Sequence, residues 1–271
     1  MSNRQLATVF QRCKAENRAA LVGYLTAGDP DPVTSRKLML ALAAQCDVIE
    51  IGMPFSDPMA DGPVIQAASE RALAAGTHIQ DVFEITRAVR EAQPDIGIVL
   101  MGYANIPYTM GFDIFSERAK AAGADGVLIV DIPPEEGQIC DDALATHGLD
   151  RILLLSPTST DDRIRLACKH GTGFIYYVSL TGITGANMGD MGDIRLKTEH
   201  IQTMTDMPVC VGFGIKTPAQ VAAVADFADG VVVGSHFVSH ITANGGEQAT
   251  CKALSTSAAA MKEAIRGAAA A

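Results

Sequence analysis

No apolar run in this 271-residue sequence approaches the roughly 18 residues that would mark a membrane-spanning helix, although 48% of the residues are hydrophobic. The amino terminus MSNRQLATVFQRCKAENRAA mixes charged and apolar residues at helical spacing. It lacks the continuous apolar centre of a secretory signal, so a soluble cytoplasmic protein is expected. Basic excess is missing too: 21 Lys and Arg stand against 31 Asp and Glu, a net charge of −10. That balance excludes a general nucleic-acid surface and points to solubility. The six cysteines (13, 46, 140, 168, 210, 251) contain no C-x-x-C pair, which excludes a zinc knuckle or a disulfide framework, and they read as reduced and packed. The histidines do not cluster; only His236 and His240 lie four apart, without a carboxylate motif, and no structural metal is expected.

What the sequence has in quantity is short β-rich apolar runs. ALVGYLT, DVIEIGM, IGIVLMGYA, GVLIVDI, RILLLS, FIYYVSL, PVCVGFG and GVVVGSHF begin about every 22 to 35 residues, with one longer interval after the second. Helical patterns such as PVTSRKLMLALAAQ and TPAQVAAVADFA separate them, and helices between strands force parallel pairing. A dinucleotide fingerprint is absent, which disfavours a doubly wound open sheet. Eight β-α units predict a single (β/α)₈ TIM barrel over residues 1–271. The long interval holds two helical patterns, VIQAASERALAAG and HIQDVFEITRAVREAQ, so an extra helix is placed there. RQLATVFQRCKAE predicts another, closing the bottom of the barrel. No linker, low-complexity tract or charge block interrupts the chain before its alanine-rich tail.

Barrel enzymes build their sites at the carboxyl ends of the strands. That rule selects Glu50, inside the strand-like run VIEIG, and Asp61 in the loop beyond it. An acid on a strand covered on both faces either pairs with a basic neighbour or has its pKa raised toward proton-transfer chemistry; strand context leaves both open. Asp61 precedes GPVIQAASERAL, so it is either a functional acid or the N-cap of the next helix. Glycine-bearing turns follow the last three runs, LTGITGAN, GFG and GSHF. Backbone N–H groups there would cradle an anion, with Gly185, Gly214, Gly234 and Ser235 the best donors; ordinary turn glycine is the alternative. None of the eight runs contains a lysine, which removes a Schiff-base aldolase, and Lys216 just past the seventh run is expected to face solvent. Carboxylates and a phosphate grip suit bond cleavage or isomerisation on a small phosphorylated substrate. Tyr24, Tyr103, Tyr176 and Phe213 fall near strand ends on one side, as core residues or as walls of a flat pocket.

The motifs EIGMPFSDPMADGPVIQ, LMGYAN, SLTGITGA, GFGIKTP and VVVGS, in this order and spacing, resemble the tryptophan synthase α chain family from end to end. The resemblance implies a (β/α)₈ barrel that cleaves indole-3-glycerol phosphate to indole and glyceraldehyde 3-phosphate without a cofactor. By the same resemblance Glu50 is the proton shuttle, Asp61 holds the ring N–H, and Tyr176 supports them. Tyr24, Tyr103 and Phe213 surround the indole, while Gly185, Gly214, Gly234 and Ser235 hold phosphate. Thr184, in the loop after strand six, meets the aspartate when that loop closes. Leu180 stands in that loop where several members have arginine. A β chain carrying pyridoxal phosphate is the implied partner in an αββα tetramer, docking on Pro54–Pro63. A stand-alone indole-releasing lyase would share every catalytic residue, and an inactive barrel kept as a binding or regulatory subunit is disfavoured by the intact acids.

Overall fold

The computed structural model describes residues 4–179, 190–212, 214–243 and 245–269. Its strands are β1 (Ala20–Thr26), β2 (Val48–Gly52), β3 (Gly97–Gly102), β4 (Gly126–Ile129), β5 (Asp150–Arg151), β6 (Leu153–Leu155), β7 (Ile175–Val178), β8 (Val209–Gly212) and β9 (Gly230–Val233). Every pairing is parallel, in the order β5-β4-β3-β2-β1-β9-β8-β7-β6. The two ends of that order are halves of one stave, separated only by Ile152. Its N–H bonds Val127 O at 3.0 Å, while Arg151 O accepts from Thr172 N at 3.0 Å. The ring therefore closes into a TIM-barrel-like fold through residues 150–155.

RILLLS was expected as one uninterrupted strand, and it is divided because its neighbours are short. Arg151 pairs with Val127 on one side, and Leu153 begins pairing with Ile175 on the other. The eighth run also ends earlier than expected, at Val233, because a helix starts at Ser235. The two helices foreseen after β2 are Pro63–Ala74 and Ile79–Ala92. The alanine-rich tail folds as a helix, Glu247–Ala269, that buries Leu254, Ala258, Met261 and Ile265 at helical spacing.

Strand side chains alternate between two apolar sets. One faces the surrounding helices and includes Leu21, Ile49, Ile51, Ile98 and Val231. The other fills the barrel: Val22, Val48, Val99, Leu128, Ile152, Phe174, Cys210 and Val232. Helix Gln5–Ala15 adds Leu6, Val9, Phe10 and Cys13 to this inner set. It plugs the N-terminal mouth, as its sequence pattern implied. Burying a leucine this completely stabilises the closure by about 2 kcal/mol.

An aspartate repeats at the N-terminal edge. Asp47 donates its N–H to Leu21 O and accepts the Leu21 N–H on Oδ2 (2.9 and 3.0 Å). Asp125 does the same with Ile98 (2.8 and 2.8 Å), and Asp229 with Val209 (3.0 and 2.9 Å). Each carboxylate thus finishes a ladder where the strand proper has not begun, satisfying an N–H that would otherwise be orphaned. Cationic or amide side chains complete the set: Arg18 and Lys262 on Asp47, Arg90 on Asp125, Gln202 on Asp229.

Candidate active site

Glu50 lies two residues beyond Val48 on β2, so by alternation it points into the barrel. Tyr24 on β1 and Val99 on β3 are its register partners. The residue is 1% exposed, and its Oε1 has no hydrogen-bond partner among the described residues. Burial alone pushes its pKa up to about 8. Of the two possibilities left by the sequence, the buried ion pair is not what forms. An unpaired buried carboxyl costs stability, which is the mark of a group held for chemistry.

Tyrosines approach the acid from the neighbouring β1 and from the more distant β7. The Tyr24 ring lies over Gly52, where a Cβ would come within 2.2 Å of its hydroxyl, and the hydroxyl meets Thr26 Oγ1 at 3.1 Å. Tyr176 on β7 lies likewise over Gly212, whose Cβ would fall 2.7 Å from the Tyr176 hydroxyl. Glycine at 52 and 212 makes room for the two phenols. Burial raises the pKa of both, and both are raised further by the carboxylates of Glu50 and Asp61. Both phenols are thus within electrostatic reach of the two acids.

Asp61 closes the loop after β2. Helix Pro63–Ala74 takes Gly62 as its N-cap, without a side-chain cap bond, so Asp61 is not a capping residue. Its carboxylate accepts from the Tyr103 hydroxyl at 3.2 Å, and its carbonyl from Gln66 Nε2 at 2.8 Å. The half-buried acid is pushed up to about 6 by burial, with the Tyr103 hydrogen bond pulling the other way. At pH 7 Glu50 therefore keeps its proton while most Asp61 is ionised. Two carboxyls in one pocket with separated pKa values can act as acid and as anion.

At the same end, Gly214 turns with φ +67° beyond β8, and Gly234 links β9 to helix Ser235–Ala243. Ser235 is thus the first residue of a helix opening on the strand ends, where its free N–H groups can take an anion. Lys216 is exposed, as expected. Phe213, Thr184, Gly185 and Leu180 lie outside the described residues.

The family model for the tryptophan synthase alpha chain matches residues 10–266. The chain belongs to that family. It is similar to the tryptophan synthase alpha chain of Acinetobacter baumannii, 49% identical over 235 residues covering 86% of this chain and 88% of the other. The Halorhodospira halophila alpha chain is 48% identical over 242 residues, 89% of each. Among solved structures, the Legionella pneumophila tryptophan synthase alpha chain superimposes with a TM-score of 0.88 at 37% identity, covering 97% of both chains. A Mycobacterium tuberculosis tryptophan synthase structure gives 0.89 at 36%, covering 97% of this chain and 98% of that one. The fold and the family named from sequence motifs agree with these matches.

Sequence reasoning within this tryptophan synthase α family barrel missed Thr26, Ala60 and Gln66. Their contributions are a hydroxyl to Tyr24, a backbone N–H to Tyr103 and an amide to the Asp61 carbonyl. Gln66 sits in the quoted motif, five residues after Asp61, and that proximity was the available signal. A cleft of about 1140 Å³ also opens at the opposite, N-terminal mouth beside Arg4, Arg18 and Asp150. Those charges are already paired, Arg4 with Asp150 and Arg18 with Asp47, and Asp206, also on the lining, is exposed where Glu50 is buried.

Proposed function

We propose that this chain cleaves indole-3-glycerol phosphate to indole and glyceraldehyde 3-phosphate, as a lyase of tryptophan biosynthesis. The observation that carries this is Glu50, a buried acid whose Oε1 has no hydrogen-bond partner among the described residues and which holds a proton at neutral pH beside the phenols of Tyr24 and Tyr176.

The reaction needs three things, and the site has a group for each. Protonation of indole C3 makes the ring nitrogen positive, and Glu50 is the acid that gives this proton. The Asp61 carboxylate accepts the ring N–H and stabilises the charge as it develops. Glu50, now ionised, takes the proton of the hydroxyl next to the ring; the C–C bond breaks, its electrons return to the ring and the hydroxyl carbon becomes the aldehyde. Glu50 ends protonated, so the cycle closes without another reactant. Tyr176 supports Glu50, and Tyr24, Tyr103 and Phe213 flank the indole plane. Gly185, Gly214, Gly234 and Ser235 take the phosphate, and Thr184 meets Asp61 on closure of its loop, which keeps water from the cleavage step.

The partner in this reading is a β chain that carries pyridoxal phosphate and uses the indole, in an αββα assembly in the cytoplasm. No helix among the described residues is long and apolar enough to cross a membrane. Pro54–Pro63 is the docking loop, and its support is Met59, 77% exposed on that loop, with Tyr108 equally exposed just beyond β3. The test is product analysis from indole-3-glycerol phosphate, with the chain alone and with a β chain. Indole and glyceraldehyde 3-phosphate, formed slowly alone and much faster in the complex, are expected. Equal rates would make it a stand-alone lyase, and absence of indole under both conditions would overturn the reading.

A further inference from the structure

Tyr103 immediately follows β3 and is 2% exposed. Its ring packs against Phe55, centroids 5.1 Å apart. Its hydroxyl accepts the Ala60 N–H at 3.1 Å and donates to Asp61 Oδ2 at 3.2 Å. A side chain needed only as an apolar wall would have no use for that oxygen, since a buried hydroxyl without partners is costly. Here both of its bonds go to one loop. Besides Gln66 Nε2, which donates to the Asp61 and Pro58 carbonyls (2.8 and 3.5 Å), the loop has little to hold it: Pro54 and Pro58 lack N–H groups, and its internal backbone bonds are Met59 N to Asp57 O (2.8 Å) and Asp61 N to Pro58 O (3.0 Å). Its first residue is also fixed to β3, through Met53 N to Met101 O at 2.7 Å.

We infer that the Tyr103 hydroxyl is the positioning group for Asp61, holding the Asp61 carboxylate and the Ala60 backbone on one oxygen so that loop and acid reach the pocket in a fixed relation. The inference rests on the reading of Asp61 as the acceptor of the ring N–H. The end of β3 is then the platform for the loop after β2. The groups facing Asp61 are phenols from three staves, Tyr24, Tyr103 and Tyr176, with Asp131 beyond Tyr103 and, on the loop itself, Asp57 bonded to Ser56. Among them the Tyr103 hydrogen bond is the one that favours the ionised acid.

Tyr103→Phe keeps the ring and its packing on Phe55 while removing the oxygen. In the full chain, alone and with the β chain, kcat is expected to fall roughly 10- to 100-fold, the cost of losing a hydrogen bond to a charged group, with KM little changed. The acid limb of the pH profile moves to higher pH, because the carboxyl that titrates at about 6 loses the bond that held it down. Carbon NMR of the Asp61 carboxyl reports the same upward move without any turnover. A failure of the proposed reaction would leave that titration able to decide the role of Tyr103. Unchanged kcat with an unmoved limb, or an unmoved carboxyl titration in a folded variant, overturns the inference.

Discussion

Two residues separate Asp47 from Glu50 on the same stretch of chain, and both are buried, 2% and 1% exposed. Asp47 receives two bonds from Arg18, one from Lys262 and one from the Leu21 N–H, whereas Glu50 Oε1 receives none among the described residues. Burial pushes the Asp47 carboxyl up, but Arg18, Lys262 and the backbone donor more than reverse it and leave it below the ordinary range. The same burial with nothing to oppose it takes Glu50 up to about 8. Donor supply, and not depth, decides which acid is held ionised and which keeps its proton. Position at the carboxyl ends of the strands is not sufficient either. Asp29, in the turn after β1, is bound on both oxygens by Arg71 at 2.8 Å and belongs with the structural acids.

The contrast is broken most severely at Glu50. Glu50→Gln should lower indole release by roughly 10²- to 10⁴-fold, the usual contribution of a general acid–base group, without weakening the fold. Turnover at the parent rate would remove Glu50 from the chemistry. At the other end Asp47→Ala leaves Arg18 with Glu16 as its remaining anion and removes the acceptor of the Leu21 N–H, and unfolding in denaturant should show a loss of about 3 kcal/mol while activity per folded molecule stays the same. A milder shift would mean that Glu16 takes over the Arg18 charge and water the Leu21 N–H. Asp61→Asn should slow cleavage roughly 10²-fold, because the ring cation loses its counter-charge, and steady-state rates over pH would show the loss of the limb near 6.

Taken per pH unit, the smallest effect is in the pH dependence of stability. A carboxyl raised from 4.5 to about 8 binds a proton in the folded chain that the unfolded chain has released. Its contribution is therefore complete below 4.5 and is lost as pH rises to 8, with a slope of at most about 1.4 kcal/mol per pH unit. Asp47, shifted down, works in the opposite sense: its contribution is present above 3.8 and disappears as pH falls through its lowered value. Denaturation of wild type and Glu50→Gln across pH 4.5 to 8 should differ in slope by the Glu50 share; parallel curves would show that the acid is hydrated.

The periodic apolar runs were enough to read the barrel, its bottom helix and the two helices after β2, because each is specified by neighbours a few residues away. Glu50 stood out for the same reason, a charge in a buried strand. The division at Ile152 was hidden, since it depends on how far β4 and β7 extend, and those strands are remote in sequence. Nothing beside the aspartates before β2, β4 and β9 marks them as ladder residues, since their partners lie 26, 27 and 20 residues upstream. Tyr103 could be placed near the pocket from its strand end, but not its bond to Asp61, 42 residues away.

The repeated aspartate has a kinetic corollary. It staples β1 to β2, β3 to β4 and β8 to β9, and the seam between β2 and β3 has no such clasp, since Ile96 occupies the equivalent place. The amide hydrogens of Leu21, Ile98 and Val209 should consequently be among the slowest to exchange with deuterium, and a barrel coming apart should split first along its unclasped seams, leaving the stapled strand pairs as its most durable fragments.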